Sequence, residues 1–310
     1  MSFPTWSDLN DESLIPPLGQ RYAPDLGSVA VMVSTEPDVR YIEANSGKKT
    51  SLPFFLGKLF TLDGGQISFA GPYLGSPYAA MILESLIARG VSKVVVIGWC
   101  GSLSDQLQTG DILIPDSAIC DEGTSRNYMV MPDNTDFPTV FPDSHFTSKL
   151  RSSLESRKVY IAKRSWPDSS TSDYEKQICF HGKERSTDKE RSGEQESSAS
   201  KNIHCDRART IIHCRRGISG RVWTTDAIYR ETQKKVAFFR DMGALAVEME
   251  CSALFAVAAY RKIDIAALLI VSDDLSSPEW KPGFKSVLFK ESRKKVLGSI
   301  ADVMTDLMFD

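Results

Sequence analysis

The sequence predicts a single α/β domain with a central mixed β-sheet and helices on both faces of that sheet. Short and nearly continuous apolar runs, such as residues 94–97 and 265–271, are typical of strands that are buried on both sides. Segments with apolar residues at helical spacing alternate with these runs, as expected where helices cover a sheet. With 310 residues, of which 42% are hydrophobic, the chain is long and apolar enough for one large core.

The domain is predicted to span residues 28–310, after a proline-rich segment, residues 1–27, that we expect to be irregular. Its first strand is the apolar run "SVAVMVS", Ser28–Ser34. The stretch "KLFTLDGGQISFAG" then predicts two strands that meet at Asp63-Gly64-Gly65, a sequence typical of hairpin turns.

The next stretch, "SPYAAMILESLIARG", predicts a helix with Ser76 as a candidate N-cap and Gly90 just after its end. The remaining apolar runs predict the other strands, which are "VVVIGWCGSL", "GDILIPDSAI", "RVWTTDA", "LAVEME" and "IAALLIVS". Further helices are predicted at about residues 231–241, 251–260 and 290–308.

A polar stretch at about residues 160–217 interrupts this pattern, and we expect it to be a long, largely disordered surface insertion. It contains three of the four histidines together with three cysteines: His181, His204, His213, Cys179, Cys205 and Cys214. Their spacing matches known zinc sites poorly, so no metal site is predicted. The six cysteines are scattered along the chain, and we expect reduced thiols.

Charge and hydropathy exclude several classes of partner. A net charge of −3 gives no basic surface for nucleic acid or for an anionic membrane. No apolar run approaches the roughly 20 residues needed to cross a bilayer. The first residues carry acids where a secretion signal has a basic region, so a cytoplasmic protein acting on a small molecule is expected.

Three predicted strands end in polar clusters: "GWCGSL", "VEMECSAL" and "VSDDLSS". In open α/β sheets ligands bind beyond the carboxyl ends of strands, so these clusters could line one crevice. Each cluster also has a purely structural interpretation. These are a tight turn for Gly98 and Gly101, a favourable helix start for Glu248 and Glu250, and a helix cap or turn for Asp273 and Asp274.

Five stretches in this order resemble the nucleoside phosphorylase superfamily, which contains purine nucleoside phosphorylase, uridine phosphorylase and the methylthioadenosine/S-adenosylhomocysteine nucleosidases. They are "IGWCGSL", "TGDILIP", "VWTTDAIYRE", "GALAVEMECSALFAVAA" and "LLIVSDDL". The resemblance implies a nucleoside phosphorylase-like fold and cleavage of the N-glycosidic bond of a purine or pyrimidine nucleoside. Inorganic phosphate would be the co-substrate, giving free base and pentose 1-phosphate without a further cofactor. Members of the family assemble as dimers to hexamers, so a homo-oligomer is expected.

The resemblance also assigns roles to residues. Glu250 matches the ribose-binding glutamate, Met249 would pack on the sugar face, and Glu248 could contribute to sugar or base binding. Asp273 matches the general acid that protonates purine N7 as the bond breaks. Tyr229, or less favourably Ile228, would stack on the base.

For phosphate, the resemblance points to backbone amides in a glycine turn at Gly98, Trp99 and Gly101, with Arg40 as a candidate cation. Val96 and Trp99 stand where many phosphorylases have an arginine and a hydroxyl residue, and Lys48 or Lys49 could supply charge instead.

Two alternatives stay open. One is a nucleosidase in which Glu36 activates water, and the other is a non-catalytic nucleoside-binding or storage protein. The choice between purine and pyrimidine is open as well, because an aspartate after "VS" favours purines whereas "EMECSAL" is also close to uridine phosphorylase.

Overall fold

The apolar runs of the sequence form one continuous mixed sheet in the computed structural model, which describes residues 13–18, 26–47, 49–62, 66–130, 136–162 and 216–308. Within these residues the strands are β1 Val29–Val33, β2 Lys49–Phe54, β3 Gly57–Leu62, β4 Ile67–Gly71, β5 Lys93–Ser102, β6 Ile112–Asp121, β7 Thr139–Val140, β8 Ile161–Ala162, β9 Arg216–Thr225, β10 Ala244–Glu248, β11 Asp264–Asp274 and β12 Lys281–Pro282. The helices are α1 Glu36–Asn45, α2 Ser76–Ile87, α3 Ser144–Ser156, α4 Gln233–Asp241, α5 Cys251–Arg261 and α6 Val287–Met308. The predicted fold class is confirmed.

Part of the sheet closes on itself. The strands β11, β6, β9, β10 and β5 pair in that order, and β5 pairs again with β11. From β5 the sheet continues as an open layer through β1, β4, β3 and β2. The sheet is mixed because β5 runs parallel to β1 and β11 but antiparallel to β10.

The open layer is buried on both faces, which explains why its central strands read as continuous apolar runs. Along β1, Ala30 and Met32 belong to one core cluster, and Val29, Val31 and Val33 belong to the other. Helices α2 and α5 pack on the first cluster, and α1, α3 and α6 pack on the second. A third cluster holds α4 against the closed part of the sheet, where Trp223 of β9 stacks on Phe239 at 4.3 Å between ring centroids.

Six elements were not predicted from the sequence: the helices α1 and α3, the strand β2, and the two-residue strands β7, β8 and β12. The signals for α3 are present, because Asp143 caps the helix by accepting a hydrogen bond from Phe146 N at 2.6 Å. For α1, Pro37 lies in the first turn and the hydroxyl of Thr35 donates to Asp38. The hairpin of β3 and β4 is confirmed, while its turn residues 63–65 lie outside the described residues.

The prediction of Ser76 as an N-cap is wrong. Gly75 occupies the N-cap of α2 with φ of 83°, a conformation that favours glycine. Ser76 begins the helix, and its Oγ donates to the carbonyl of Met249 at 2.8 Å instead. Gly90 follows the helix with φ of 95°, as expected of a residue that ends one.

The predicted insertion at about 160–217 lies outside the described residues except at its ends. There, Ile161–Ala162 pair in parallel with Arg216 and Gly217, so both ends enter the sheet. Of the six cysteines, Cys100, Cys120 and Cys251 are described, and all three are free and buried. Among the described residues no helix is long and apolar enough to cross a membrane.

Candidate active site

Strand register brings two of the three predicted polar clusters to one edge of the sheet and the third beside them. Asp273 of β11 pairs with Gly101 of β5, and Gly101 pairs with Val247 of β10. Two strand spacings, about 10 Å, therefore separate the backbone of Asp273 from that of Val247. Glu248 follows Val247 directly, so the carboxyl-bearing residues at the ends of β10 and β11 belong to one site.

Glu250 lies where β10 passes into α5. Its Oε1 accepts a hydrogen bond from the backbone N–H of Gly75 at 2.6 Å, which ties it to the start of α2. Burial, reinforced by the nearby carboxyl of Glu248, raises the pKa of Glu250 from 4.5 to about 8. Two carboxyl groups desolvated side by side repel each other when both are ionised, and the site is therefore complementary to a positive charge.

Glu248 serves the protein and not an open site. Its Oε2 accepts from the backbone N–H groups of Glu250 and Cys251, both at 2.7 Å, and its Oε1 accepts from the hydroxyl of Thr224. It thus holds the first N–H groups of α5, which lack partners within the helix. The carboxylate of Glu248 is buried, and its predicted contact with sugar or base stays a prediction.

Each carboxylate oxygen of Asp273 accepts one hydrogen bond. Its Oδ1 accepts from the hydroxyl of Ser272 at 2.6 Å, and its Oδ2 accepts from the indole N–H of Trp280 at 2.8 Å. The neighbouring Asp274 accepts a hydrogen bond from Ser276 N at 2.7 Å, as expected if its role is to stabilise a turn.

A cavity of about 240 Å³ lies between α4 and the chain that follows β11, and one of its lining residues, Trp280, is the residue bonded to Asp273. Trp280 and Glu231 both line it, together with Leu275 and Arg240. Burial and the nearby Asp273 raise the pKa of Glu231 to about 7, although Lys235 partly opposes the shift. Sequence reasoning missed Glu231, and a carboxyl that titrates near neutral pH in a cavity is a functional candidate.

The predicted glycine turn is a strand. Gly98 and Gly101 lie inside β5, whose backbone pairs with β11 as far as Ser102. Their lack of side chains has packing reasons. A Cβ at Gly101 would lie 2.4 Å from Cδ1 of Leu275 and 3.3 Å from Oδ2 of Asp273, so the glycine leaves room for the candidate acid.

The two segments expected to bind phosphate contact each other instead. The indole N–H of Trp99 donates to Oδ2 of Asp38 at 2.7 Å, and Oδ1 of Asp38 accepts from Arg293 Nε at 2.7 Å. The side chain of Asp38 is fully buried, and Trp99 packs edge-on against Phe289 at 4.9 Å. Trp99, which was expected to contact phosphate, therefore lies beside the buried carboxylate of Asp38, which is already paired with Arg293.

Arg40 does not reach this cluster. It lies on α1 with its side chain 75% exposed and pairs with Glu36 at 2.6 Å, one helical turn away. The segment that was expected to be a loop is the helix α1, which points this side chain to solvent, and phosphate binding by Arg40 stays a prediction. Glu36, the candidate base of the hydrolytic alternative, is engaged in the same exposed pair. Lys48 and the side chain of Lys49 lie outside the described residues.

The predicted base-stacking residues lie on a short 3-10 helix, Ile228–Arg230, after β9. Both side chains are exposed, Ile228 by 52% and Tyr229 by 95%, so other residues cover neither of them. Asp226 fixes this loop by accepting a hydrogen bond from Gly123 N at 3.1 Å. The backbone carbonyl of Met249 accepts from Ser76, which holds Met249 next to Glu250.

A second residue missed by sequence reasoning is Tyr73, which follows β4. It is buried, and its hydroxyl has no hydrogen-bond partner among the described residues. Burial and the charges of Glu250, Cys251 and Glu248 raise its pKa well above the usual value.

Among the described residues, no group of three or more histidine, cysteine or acidic residues is arranged to hold a metal ion. The histidines and cysteines of the insertion lie outside the described residues.

Comparison with known proteins agrees with this architecture. The family model of the phosphorylase superfamily matches residues 23–307. A DeoD-type purine nucleoside phosphorylase of Bacillus cereus is 25% identical over 225 residues, 72% of this chain and 70% of the relative.

Solved structures share the fold at low identity. A purine nucleoside phosphorylase of Toxoplasma gondii aligns with a TM-score of 0.62 at 14% identity, over 96% of each chain. A uridine phosphorylase of Vibrio fischeri aligns at 0.58 and 16% identity, over 91% of each chain. A 5'-methylthioadenosine/S-adenosylhomocysteine nucleosidase of Helicobacter pylori aligns at 0.60 and 12% identity, over 91% of this chain and 100% of the other. With the matched model covering nearly the whole chain, the protein belongs to the phosphorylase superfamily of nucleoside phosphorylases and nucleosidases.

Proposed function

We propose that this protein cleaves the N-glycosidic bond of a purine nucleoside. The observation that carries the proposal is the pair of carboxyl environments at one sheet edge. Glu250 is desolvated beside Glu248, and Asp273 is hydrogen-bonded to Trp280, which lines a cavity together with Glu231. Different carboxyl environments in one site favour different roles in acid–base chemistry.

Glu250 would act on the sugar. In the transition state of glycosidic cleavage the sugar ring gains positive charge. The protein keeps the neighbouring carboxyl groups of Glu250 and Glu248 away from water, and their mutual repulsion is relieved when a cationic ring lies against Glu250. Glu250 would therefore bind the transition state more tightly than the substrate, which is the condition for catalysis.

Asp273 would act on the base. A purine in the adjoining cavity could receive a proton from Asp273 at N7, while Glu231 would face another polar edge of the base. A carboxyl near neutral pKa, as in Glu231, can either donate or accept a hydrogen bond at a base nitrogen. A pyrimidine has no N7, so these contacts favour purines.

For the group that accepts the sugar, we propose water. The Trp99–Asp38–Arg293 cluster brings a buried carboxylate to the segments from which a phosphate contact was expected. Arg293 is used by Asp38, and Arg40 is turned to solvent, so neither is a free cation for a phosphate. A cationic sugar carbon is readily captured by a weak nucleophile such as water.

Phosphorolysis is the second candidate, favoured by one observation. The relative from Bacillus cereus, at 25% identity, is a purine nucleoside phosphorylase. A storage or binding protein is the third possibility, and it needs no general acid.

One experiment separates the three. Purified protein is incubated with inosine, adenosine and uridine, with and without inorganic phosphate, and free base is measured. Purine release that does not depend on phosphate supports the proposal. Release that requires phosphate overturns the choice of water, and binding without release of any base overturns catalysis.

The variant Asp273→Asn provides the residue-level test, with Asp274→Asn as its matched control. The two residues are adjacent on β11, but Asp274 is bonded to the turn at Ser276. We expect purine cleavage to fall by at least about 100-fold in Asp273→Asn, the range of general acid catalysis, and to change little in the control. Equal activity of both variants would contradict the role of Asp273.

A further inference from the structure

The indole of Trp280 is hydrogen-bonded to the oxygen of Asp273 that would have to contact a nitrogen of the base. Its indole N–H lies 2.8 Å from Oδ2, while Oδ1 is already bonded to Ser272. An indole N–H can only donate, so Oδ2 acts as an acceptor in the free protein. A general acid must present a proton instead, and the direction of this hydrogen bond is therefore opposite to the one that the chemistry requires.

The side chain of Trp280 is free to leave this position. The residue is 58% exposed and borders the cavity, which also contains Glu231. Its nearest ring neighbour is Phe284, with centroids 6.3 Å apart, so it is not enclosed by the core. The backbone beside it is anchored, because Lys281 and Pro282 of β12 pair with Asp274 and Asp273 of β11.

An anchored backbone and an exposed ring suit a side chain that exchanges partners. If the indole moves away from Asp273, its ring stays at the border of the cavity, where it can cover a planar base. Stacking on an aromatic ring would offset the loss of the hydrogen bond.

We propose that Trp280 is a positioning residue whose indole N–H occupies Oδ2 of Asp273 until a purine binds. Asp273 then takes up a proton from solvent at Oδ2 and donates it to purine N7, which releases the indole. The inference rests on the proposed function, because it requires Asp273 to contact N7. It adds a specificity element, since a base without an acceptor at this position would fail to release the indole.

The first test is spectroscopic. Tryptophan emission is recorded for the wild type and for Trp280→Phe, which keeps the other four of the five tryptophans, and the difference isolates Trp280. Adenosine is compared with 7-deazaadenosine, which has a C–H group in place of N7. Binding of both ligands is measured separately by calorimetry.

We expect adenosine to change the Trp280 emission and bound 7-deazaadenosine to leave it nearly unchanged. Equal changes with both ligands, or no change with either bound ligand, would overturn the displacement of the indole by N7. Failure of both nucleosides to bind would overturn the proposed function together with this inference, whereas cleavage of adenosine with a constant Trp280 emission would overturn the inference alone.

The second test is kinetic. Trp280→Phe keeps a ring that can stack but removes the competing N–H, so we expect KM for adenosine to fall about tenfold, the size of one charge-assisted hydrogen bond, with kcat little changed. Trp280→Ala removes both, and its KM should exceed that of the phenylalanine variant. A residue with only a structural role would raise KM in both variants, and that result would contradict the proposal.

Discussion

Replacing Glu250 by glutamine should stabilise the free protein in a manner that depends on pH. The carboxyl of Glu250 has its pKa raised from 4.5 to about 8 by burial and by Glu248. Between these pH values the unfolded chain has lost a proton that the folded protein still holds, so raising the pH favours unfolding. The destabilisation grows through this window and is complete above pH 8. A pKa displacement of this size corresponds to on the order of 5 kcal/mol.

Glutamine has no proton to lose, and its side-chain oxygen can still accept from Gly75 N. We therefore expect Glu250→Gln to match the wild type near pH 4.5 and to exceed it by a few kcal/mol at pH 8.5. The free energy of unfolding is measured by urea titration at both pH values, followed by circular dichroism. The exposed Glu279 provides the control, because Glu279→Gln should show no such difference between the two pH values. A stability gain for Glu250→Gln that is equal at both pH values would refute the reasoning, since it could not come from proton linkage.

Three further variants test separate parts of the structure. Arg293→Met leaves the buried carboxylate of Asp38 without its cation and should cost about 3–5 kcal/mol in urea unfolding; a loss below about 1 kcal/mol would contradict a buried pair. Tyr73→Phe removes a buried hydroxyl without a partner among the described residues, so stability should be unchanged or rise by about 1 kcal/mol, and a clear loss would reveal a missing partner. Gly101→Ala brings a methyl group to 2.4 Å from Leu275 and should lower kcat by displacing the neighbouring acid, whereas wild-type kinetics would show that this strand tolerates the side chain.

Local sequence signals predicted most of the fold. Continuous apolar runs placed the buried strands, because a sheet covered on both faces needs apolar residues at every position. The helices at the C-terminal half were predicted within three residues of their observed starts, since their apolar spacing is strong. The missed helices carried signals of their own, which are the N-cap Asp143 of α3 and Pro37 in the first turn of α1.

The candidate site was predicted less completely, because side chains that are distant in sequence define it. Glu250 and Asp273 could be found from their positions at strand ends. Glu231 gave no signal in the sequence, and it becomes a candidate because the fold buries it near Asp273. Glu248 has the same residue type as Glu250, yet hydrogen bonds to the start of α5 separate their roles.

By itself the sequence determined which segments are strands, which residue types gather at their ends and which family they resemble. Those properties depend on periodicity and on the order of short motifs, both of which are local. Only the tertiary structure decided that Gly98 and Gly101 belong to a strand. It also decided that Asp38 bonds to Trp99, 61 residues away in the sequence, and to Arg293, 255 residues away. Strand pairing and buried ion pairs are set by the packing of remote segments, and they changed the expected anion site into a closed, charge-neutral cluster of the protein's own side chains.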